Sequence, residues 1–419
     1  TGSASWTTTV KTSGFTAVAG EGYFVDTTSG AISVNLPAGT AGAVVAFADY
    51  AKNFGTHNLT LVQNGSDKIG GLTINAKLNT NGIAVTLIFI DSTKGWIVTD
   101  DGLSTSANTA EFLTATGGTI TTVCTNFKVH TFTGPGTFCV SAAGNSCGSN
   151  SVDYMVVAGG AAGGNAKAGT NGNAGGGGAG GYRESPGSVS CYTASPLGVS
   201  PAAAITVTAQ GYPIVVGAGG ASRSTEDSPP CGPGFGAPGN VSSALGISSA
   251  GGGGGGRDTG DNGGSGGGAS GTSPFGSGNT PPVTPPQGNN GGAATGSGAC
   301  TVAAGGGGAG AVGGNANPGG PAGNGGAGVA SSINGTPTTR AGGGGGGGNS
   351  GQTGGGSGGS GGGGAGGTYN GGSGPGVNGT AGTTNTGGGG GATASANDAS
   401  PVVSGAGGSG IVIIRYKFQ

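Results

Sequence analysis

Charge is scarce in this sequence, and its scarcity removes several functions at once. Of 419 residues, 13 are Lys or Arg and 15 are Asp or Glu, giving a formal net charge of −2. No basic face is available to hold nucleic acid or an anionic membrane surface. No apolar run approaches the roughly 18 residues that a membrane-spanning helix needs. No signal-peptide pattern is visible at the polar start, so export by a removed leader or release by lysis is expected.

Groups that carry catalysis are missing as well. The two His, His57 and His130, are far apart in sequence and stand in no Cys–His or Asp–x–His grouping. No GxSxG element stands out, and no GxxxxGK[ST] loop follows a strand. Matches to GxGxxG carry no information at this Gly content. No GGxGxDxUx nonapeptide repeats, which argues against a calcium-binding β-roll. Acidic residues are too sparse for a carboxylate pair; the adjacent Glu226 and Asp227 read as a solvated loop. We therefore expect no enzyme, no cofactor and no metal. Asn58-Leu59-Thr60 and Asn64-Gly65-Ser66 match the glycosylation sequon, as chance allows in a chain rich in Thr and Ser.

The six Cys are Cys124, Cys139, Cys147, Cys191, Cys231 and Cys300, and none forms a CxxC pair. Metal-site spacing is thus absent. An even number suits disulfides in an extracellular particle. Small buried thiols that stay reduced are the alternative, and spacing does not choose between the two or among the pairings.

Glycine is what the sequence has in abundance, and it is unevenly spread. Residues 1–150 hold 20 of the 111 Gly, and the remaining 269 residues hold 91. The second part has nearly the Gly content of collagen without its triplet period. The chain divides into an N-terminal β-module at 1–102, a polar linker at 103–110, a β-meander or connector at 111–150 and a glycine-rich domain at 151–419.

The first part reads as short strands. Ile32, Val34 and Leu36 alternate with Ser33 and Asn35, the period of a half-buried strand. Ile83–Ile90 is a longer apolar strand that turns at Asp91–Gly95 into Trp96–Val98, a hairpin pattern. Turn signals recur about every ten residues, the spacing of a β-sandwich or barrel. Gly118–Val123, Phe127–Thr133 and Thr137–Ser141 follow as a three-stranded meander. No helix longer than a turn is expected.

Apolar islands interrupt the glycine. Ala204–Ala209 and Tyr212–Val216 suggest a hairpin turning at Gln210-Gly211. Val241–Ser249 and Val329–Arg340 form an imperfect repeat: Ser-Ser near Leu or Ile, a polar turn, Ala, then a run of Gly at 251–256 and 342–348. Strongly apolar strands at Val152–Ala158 and Ile411–Tyr416 bracket the whole and are expected to pair. Glycine runs can adopt the extended threefold helix of polyproline II, about 3.1 Å per residue and without internal hydrogen bonds. Lacking Cβ atoms, such helices can lie side by side and bond to one another. The expected fold is all-β: a sandwich or barrel module, a short meander, then packed polyglycine II-type helices closed by terminal strands.

Three segments carry a family resemblance. Trp6–Asp101, with TVKTSGFTAVAGEGYFVDTTSGAISVNLP and VTLIFIDSTKGWIVTDD, is similar to a module of marine phage fibre proteins. Phe112–Gly160, with FLTATGG, KVHTFTGPGTFCVS and SVDYMVVAGG, resembles the lead-in to their glycine-rich domains. GGSGIVIIRYK at the C-terminal end resembles the matching exit. The chain thus resembles bacteriophage tail fibres and tail-tip adhesins, although the N-terminal β-module and six Cys depart from the T-even adhesins. The resemblance implies a virion protein, extracellular on the tail fibre, that attaches to a polysaccharide or outer-membrane protein of the host. It also implies contacts with other tail proteins through the N-terminal part, and a homotrimer. A cellular glycine-rich surface or matrix filament is the alternative, and an ice-binding polyglycine-helix protein is a third.

Glycine runs bear no side chains with which to discriminate a ligand, so the segments that break them are the receptor-binding candidates. These are Arg257–Asn262, Ser273–Asn290, Thr336–Arg340 and Thr368–Asn370. Phe275 and Tyr369 could stack on a sugar or protein, and Arg257 and Arg340 could reach anionic groups. Asp258, Asp261, Asn262, Asn279, Gln287 and Asn370 supply polar contacts. Pro282 lies in a Pro cluster that would stiffen its loop and lower the entropy lost on binding.

Overall fold

The computed structural model describes residues 4–101, 110–145, 148–166, 173–187, 191–200, 203–224, 234–295, 303–317, 319–348, 354–368, 376–394 and 401–419. Apart from its last residue, the linker expected at 103–110 falls outside these. Two compact units are present: Thr1–Glu111 with Ser146–Gly148, and Phe112–Asn145 with Ser149–Gln419. The fold is all-β, and the described residues contain no helix.

The first unit holds β1 (Ser5–Lys11), β2 (Phe15–Thr16), β3 (Glu21–Val25), β4 (Ile32–Asn35), β5 (Val44–Asp49), β6 (Leu59–Val62), β7 (Ala76–Leu78), β8 (Ala84–Phe89) and β9 (Trp96–Asp101). They form sheets of order β1-β3-β5-β8-β9 and β2-β4-β6-β7. The alternation of β4 places Ile32 and Val34 inside and Ser33 and Asn35 outside. One apolar cluster, with Val25, Phe47, Leu87 and Trp96 from the first sheet and Val34, Leu59 and Leu61 from the second, fills the space between them. Burying each such side chain is worth roughly 1.5–3 kcal/mol. The pairing differs from a sandwich of hairpins. Strands β1 to β6 alternate between the sheets, and β1-β3-β5 and β2-β4-β6 are parallel. The chain therefore winds like a short β-solenoid before β8 and β9 close it as an antiparallel hairpin.

The second unit holds β10 (Thr114–Thr116), β11 (Thr119–Val123), β12 (Phe127–Phe132), β13 (Gly136–Ala142), β14 (Ser151–Val157), β15 (Tyr182–Ser185), β16 (Ile205–Thr206), β17 (Gly211–Ile214), β18 (Ser242–Ala244), β19 (Ile247–Ser249), β20 (Val329–Ser331), β21 (Thr338–Arg340) and β22 (Ile411–Lys417). Strands β14 and β22 pair antiparallel from Asp153↔Arg415 to Val157↔Ile411, at the centre of a sheet ordered β11-β12-β22-β14-β15. Both are apolar on both faces because both faces are covered. Val152, Tyr154 and Val156 face one cluster with Val412 and Ile414. Met155 and Val157 face another with Ile411 and Ile413.

Two local expectations change. β11 and β12 form their hairpin, but β13 leaves it and pairs with β10 and β17. The meander is thus split between two sheets. β16 and β17 do not pair with each other: β16 joins β14 and β17 joins β13. Both edges of β12 are taken, by β11 and β22, and β16 and β17 each gain a longer partner than the other would offer. The two repeat units are hairpins, β18–β19 and β20–β21, each running directly into Ala and a glycine run.

The glycine runs carry no strand pairing, yet their backbone bonds are made. Residues of one run donate to a given neighbour at every third position. Gly159, Ala162 and Asn165 donate to Asn240, Ala237 and Gly234, while Gly160 and Gly163 donate to Gly408 and Gly405. Ala161 and Gly164 donate to Gly178 and Gly175. In the same way Gly342, Gly345 and Gly348 reach Gly361, Gly364 and Gly367, whereas Gly343 and Gly346 reach Gly326 and Gly323. Each run is thus surrounded by segments remote in sequence, and its buried peptide groups are satisfied by them. The approach is too close for side chains: a Cβ on Gly253 would lie 2.0 Å from the carbonyl oxygen of Asp261.

Candidate binding surface

The hydrogen-bond levels give the glycine stack two ends. At the first end the runs meet the strands. Ala158, next after β14, donates to Gly181, and Gly181 donates to Ala250, next after β19. Gly180 donates to Gly387, and Ala309 to Ala341, next after β21. At the other end Gly164 donates to Gly175 and Gly175 to Gly256, each at 2.9 Å. Gly347 donates to Ala174, Thr393 to Gly164 and Gly348 to Gly367. Asn165, Gly256, Gly348 and Thr393 therefore stand at one common end of the stack, away from the sheet.

Several sequence candidates gather at this far end. Arg257 and Asp258 follow Gly256 and pair at 3.6 Å, with side-chain exposures of 20% and 62%. The Ser270 hydroxyl caps the Arg257 carbonyl. The chain then turns back, and Asp261 N–H donates to Gly254 O at 3.0 Å. Burial pushes the Asp261 carboxyl up and the nearby Arg223 charge opposes it. Asn262 is exposed and accepts Ser277 N–H at 2.7 Å. Gly260 donates to Pro274 O, which brings the exposed Phe275 to the same end. Thr368, which accepts from Gly355 at 3.2 Å, is exposed there too. Tyr369 and Asn370 lie outside the described residues.

The other candidates sit elsewhere. Residues 273–290 are not one loop: Gly276 and Gly278 run through the stack and carry the chain back to the sheet end. There Asn279 Oδ1 accepts the N–H groups of Val283 and Gln287, at 3.1 and 3.2 Å. Asn279 takes a left-handed φ of 51°, and the Thr280-Pro281 and Thr284-Pro285 bonds are cis. Pro282 is exposed on this turn.

Gln287 and Arg340 are corrections, because both side chains are interior. Gln287 is 1% exposed, its amide nitrogen donating to Pro281 O and its Oε1 accepting from Ala250 N, each at 2.8 Å. Arg340 is 5% exposed against Met155 Sδ, and burial lowers its pKa while Tyr182 and Glu184 oppose the shift. Their polar groups hold the sheet end together and offer nothing to a surface ligand.

Arg223 is the residue that sequence reasoning missed. Its N–H donates to Ser404 Oγ at 3.1 Å and its carbonyl accepts from Ser404 N, fixing it near Asp261. The signal was present, since ASRSTED breaks the glycine pattern as RDTGDN does. Together the far end presents guanidinium, carboxylate, amide and phenyl groups on a backbone without side chains. Such a set can bond hydroxyl and anionic groups and stack on a ring.

The two His serve structure. His57 Nδ1 donates to Thr27 O at 3.0 Å, and buried His130 donates from Nδ1 to Gly117 O at 2.7 Å. No group of three His, Cys, Asp or Glu that could hold a metal occurs among the described residues.

Two β-rich units, the second a glycine stack closed by a strand pair, define a glycine-rich all-β protein. A family model for a glycine-rich domain matches residues 131–417, and the chain belongs to that family. No curated protein matches it.

Proposed function

We propose that the chain is a host-recognition protein of a virion, a tail fibre or tail-tip adhesin that attaches to a receptor on the cell surface. The observation that carries this reading is the gathering of Arg223, Arg257, Asp258, Asp261 and Phe275 at one end of a scaffold made mostly of Gly and Ala. A rigid scaffold with chemistry confined to one end suits recognition, since little conformational entropy is lost on binding. The resemblance of Trp6–Asp101, Phe112–Gly160 and the C-terminal strand to phage fibre sequences supports it.

The glycine runs are read here as polyglycine II-type helices. A donor pattern that returns to the same neighbour every third residue is what a threefold helix produces. Seven residues from Ala158 to Gly164 would then span roughly 20 Å. Receptors of this reading are a polysaccharide or an outer-membrane protein, and the working assembly is a homotrimer on the tail.

The test is adsorption. Replacing 257–262 and 271–275 with Gly/Ser segments of equal length should abolish binding of the purified chain to host cells while its melting temperature holds. Undiminished binding by the folded variant would place the receptor site elsewhere.

A further inference from the structure

Arg415 lies on the central strand β22 and is fully buried. Its guanidinium stacks between Phe127 and Tyr192, at 4.4 and 5.1 Å from the ring centres. Nη1 donates to Ile333 O at 3.2 Å. Nη2 points at two thiols, 3.1 Å from Cys191 Sγ and 3.9 Å from Cys124 Sγ. Both cysteines are exposed.

Hydrogen bonds hold the segments that carry both thiols. Cys124 and Thr125 form the β11–β12 turn with φ of 49° and 59°. The C-terminal end clamps that turn, as Phe418 N–H donates to Asn126 O and Gln419 Nε2 to Thr125 O. Cys191 precedes Tyr192, whose ring covers the guanidinium, and Thr193, whose carbonyl accepts from Ser332. Two thiols gathered on one nitrogen, both open to solvent, are placed for a cross-link between the two segments.

We propose that Cys124 and Cys191 are a dithiol site that a small-molecule disulfide converts to an intramolecular disulfide, tying the β11–β12 turn to the segment after β15. The chemistry runs in two exchanges. Cys124 thiolate attacks one sulfur of the reagent, RS–SR; the Cys124–SR bond forms, the S–S bond of the reagent breaks and one RS⁻ leaves. Cys191 then gives its proton to solvent and attacks the Cys124 sulfur; the Cys124–Cys191 bond forms and the second RS⁻ leaves. Two protein thiols lose two electrons and one RS–SR gains them. Arg415 Nη2 lies beside both sulfurs, and a cation there favours the thiolate that reacts, so the same two exchanges run equally in the opposite order.

The experiment treats the intact chain with oxidised glutathione, alkylates the remaining thiols and maps peptides without reduction. The expected product joins the Cys124 and Cys191 peptides. Cys191→Ser and Cys124→Ser should each stop at the mixed disulfide of the remaining thiol with glutathione. Full alkylation of both cysteines after oxidation, or linkage of either to Cys139, Cys147, Cys231 or Cys300, overturns the assignment. The map of the unaltered chain decides the matter even where a variant fails to fold.

Discussion

Gly345 and Gly356 pass so closely that a Cβ on the first would lie 1.9 Å from the carbonyl oxygen of the second. The contact is backbone against backbone, so neither partner can rotate away. Gly345→Ala should therefore cost at least about 3 kcal/mol, beyond ordinary overpacking, because a whole run has to move. Gly134→Ala is the control: its added Cβ would meet nothing within 4 Å, and the change should stay within about 0.5 kcal/mol. Melting curves of the two variants check the pair, and equal melting temperatures would contradict the close-packed reading.

That packing was only partly legible in the sequence. Val152–Ala158 and Ile411–Tyr416 announced themselves because a strand covered on both faces is apolar at nearly every position. The repeat units before Ala250 and Ala341 were legible with their polar turns, but not as the hairpins they form. The parallel winding of β1 to β6 was not, since alternation and turn spacing look the same whether the next strand pairs beside its predecessor or returns two strands later. At the candidate surface, Arg257 and Phe275 were visible as breaks in the glycine pattern. Gln287 and Arg340 break it too, but for the opposite reason: they fill the sheet end. Composition marks where glycine stops and does not tell which end of the stack the break occupies.

Glu184 is the polar keystone of that sheet end. Its 1% exposed carboxylate accepts from Tyr182 Oη at 2.9 Å, Ser195 N at 2.9 Å and Ser331 Oγ at 2.6 Å. Glu184→Ala strands three buried donors and removes a negative charge near Arg340, for an expected loss of about 3–5 kcal/mol. Glu184→Gln keeps the shape and one acceptor oxygen and should lose less. Denaturant unfolding of both variants measures the difference.

His130 gives the fold a pH dependence. It is fully buried, its Nδ1–H donates to Gly117 O, and Nε2 accepts from Tyr416 Oη at 3.2 Å. Burial, with the charge of Lys128 adding, lowers its pKa below the ordinary 6.5, against the opposing bond to Gly117. The unfolded chain thus takes up a proton at a higher pH than the folded one. Stability is unaffected above the unfolded value and declines as pH falls below it towards the folded value. The melting temperature should drop between about pH 7 and pH 5, before most carboxylates titrate. His130→Gln should flatten this part of the profile even if it lowers the curve as a whole; an unchanged slope would assign the effect to other groups.

The two ends of the glycine stack should separate binding from stability. Arg257 and Phe275 stand at the far end, both partly exposed, and Arg257 has a surface ion pair with Asp258 worth little to the fold. Arg257→Ala and Phe275→Ala should change the melting temperature by no more than a few degrees, since Phe275 is exposed and the Arg257–Asp258 pair lies at the surface. Each should weaken adsorption to host cells by about tenfold, the loss expected when an aromatic or Arg anchor is truncated. Asn279 and Gln287 give the reverse pattern. Both organise the turn at the sheet end, and Gln287 bonds Ala250 and Pro281 while Tyr182 donates to its carbonyl. Asn279→Ala and Gln287→Ala should lower the melting temperature by several degrees and leave the affinity of the folded fraction unchanged. Adsorption titrations corrected for folded protein, run beside melting curves for all four variants, read out both axes. Loss of affinity in the Gln287 variant, with Arg257 and Phe275 silent, would move the recognition surface to the sheet end.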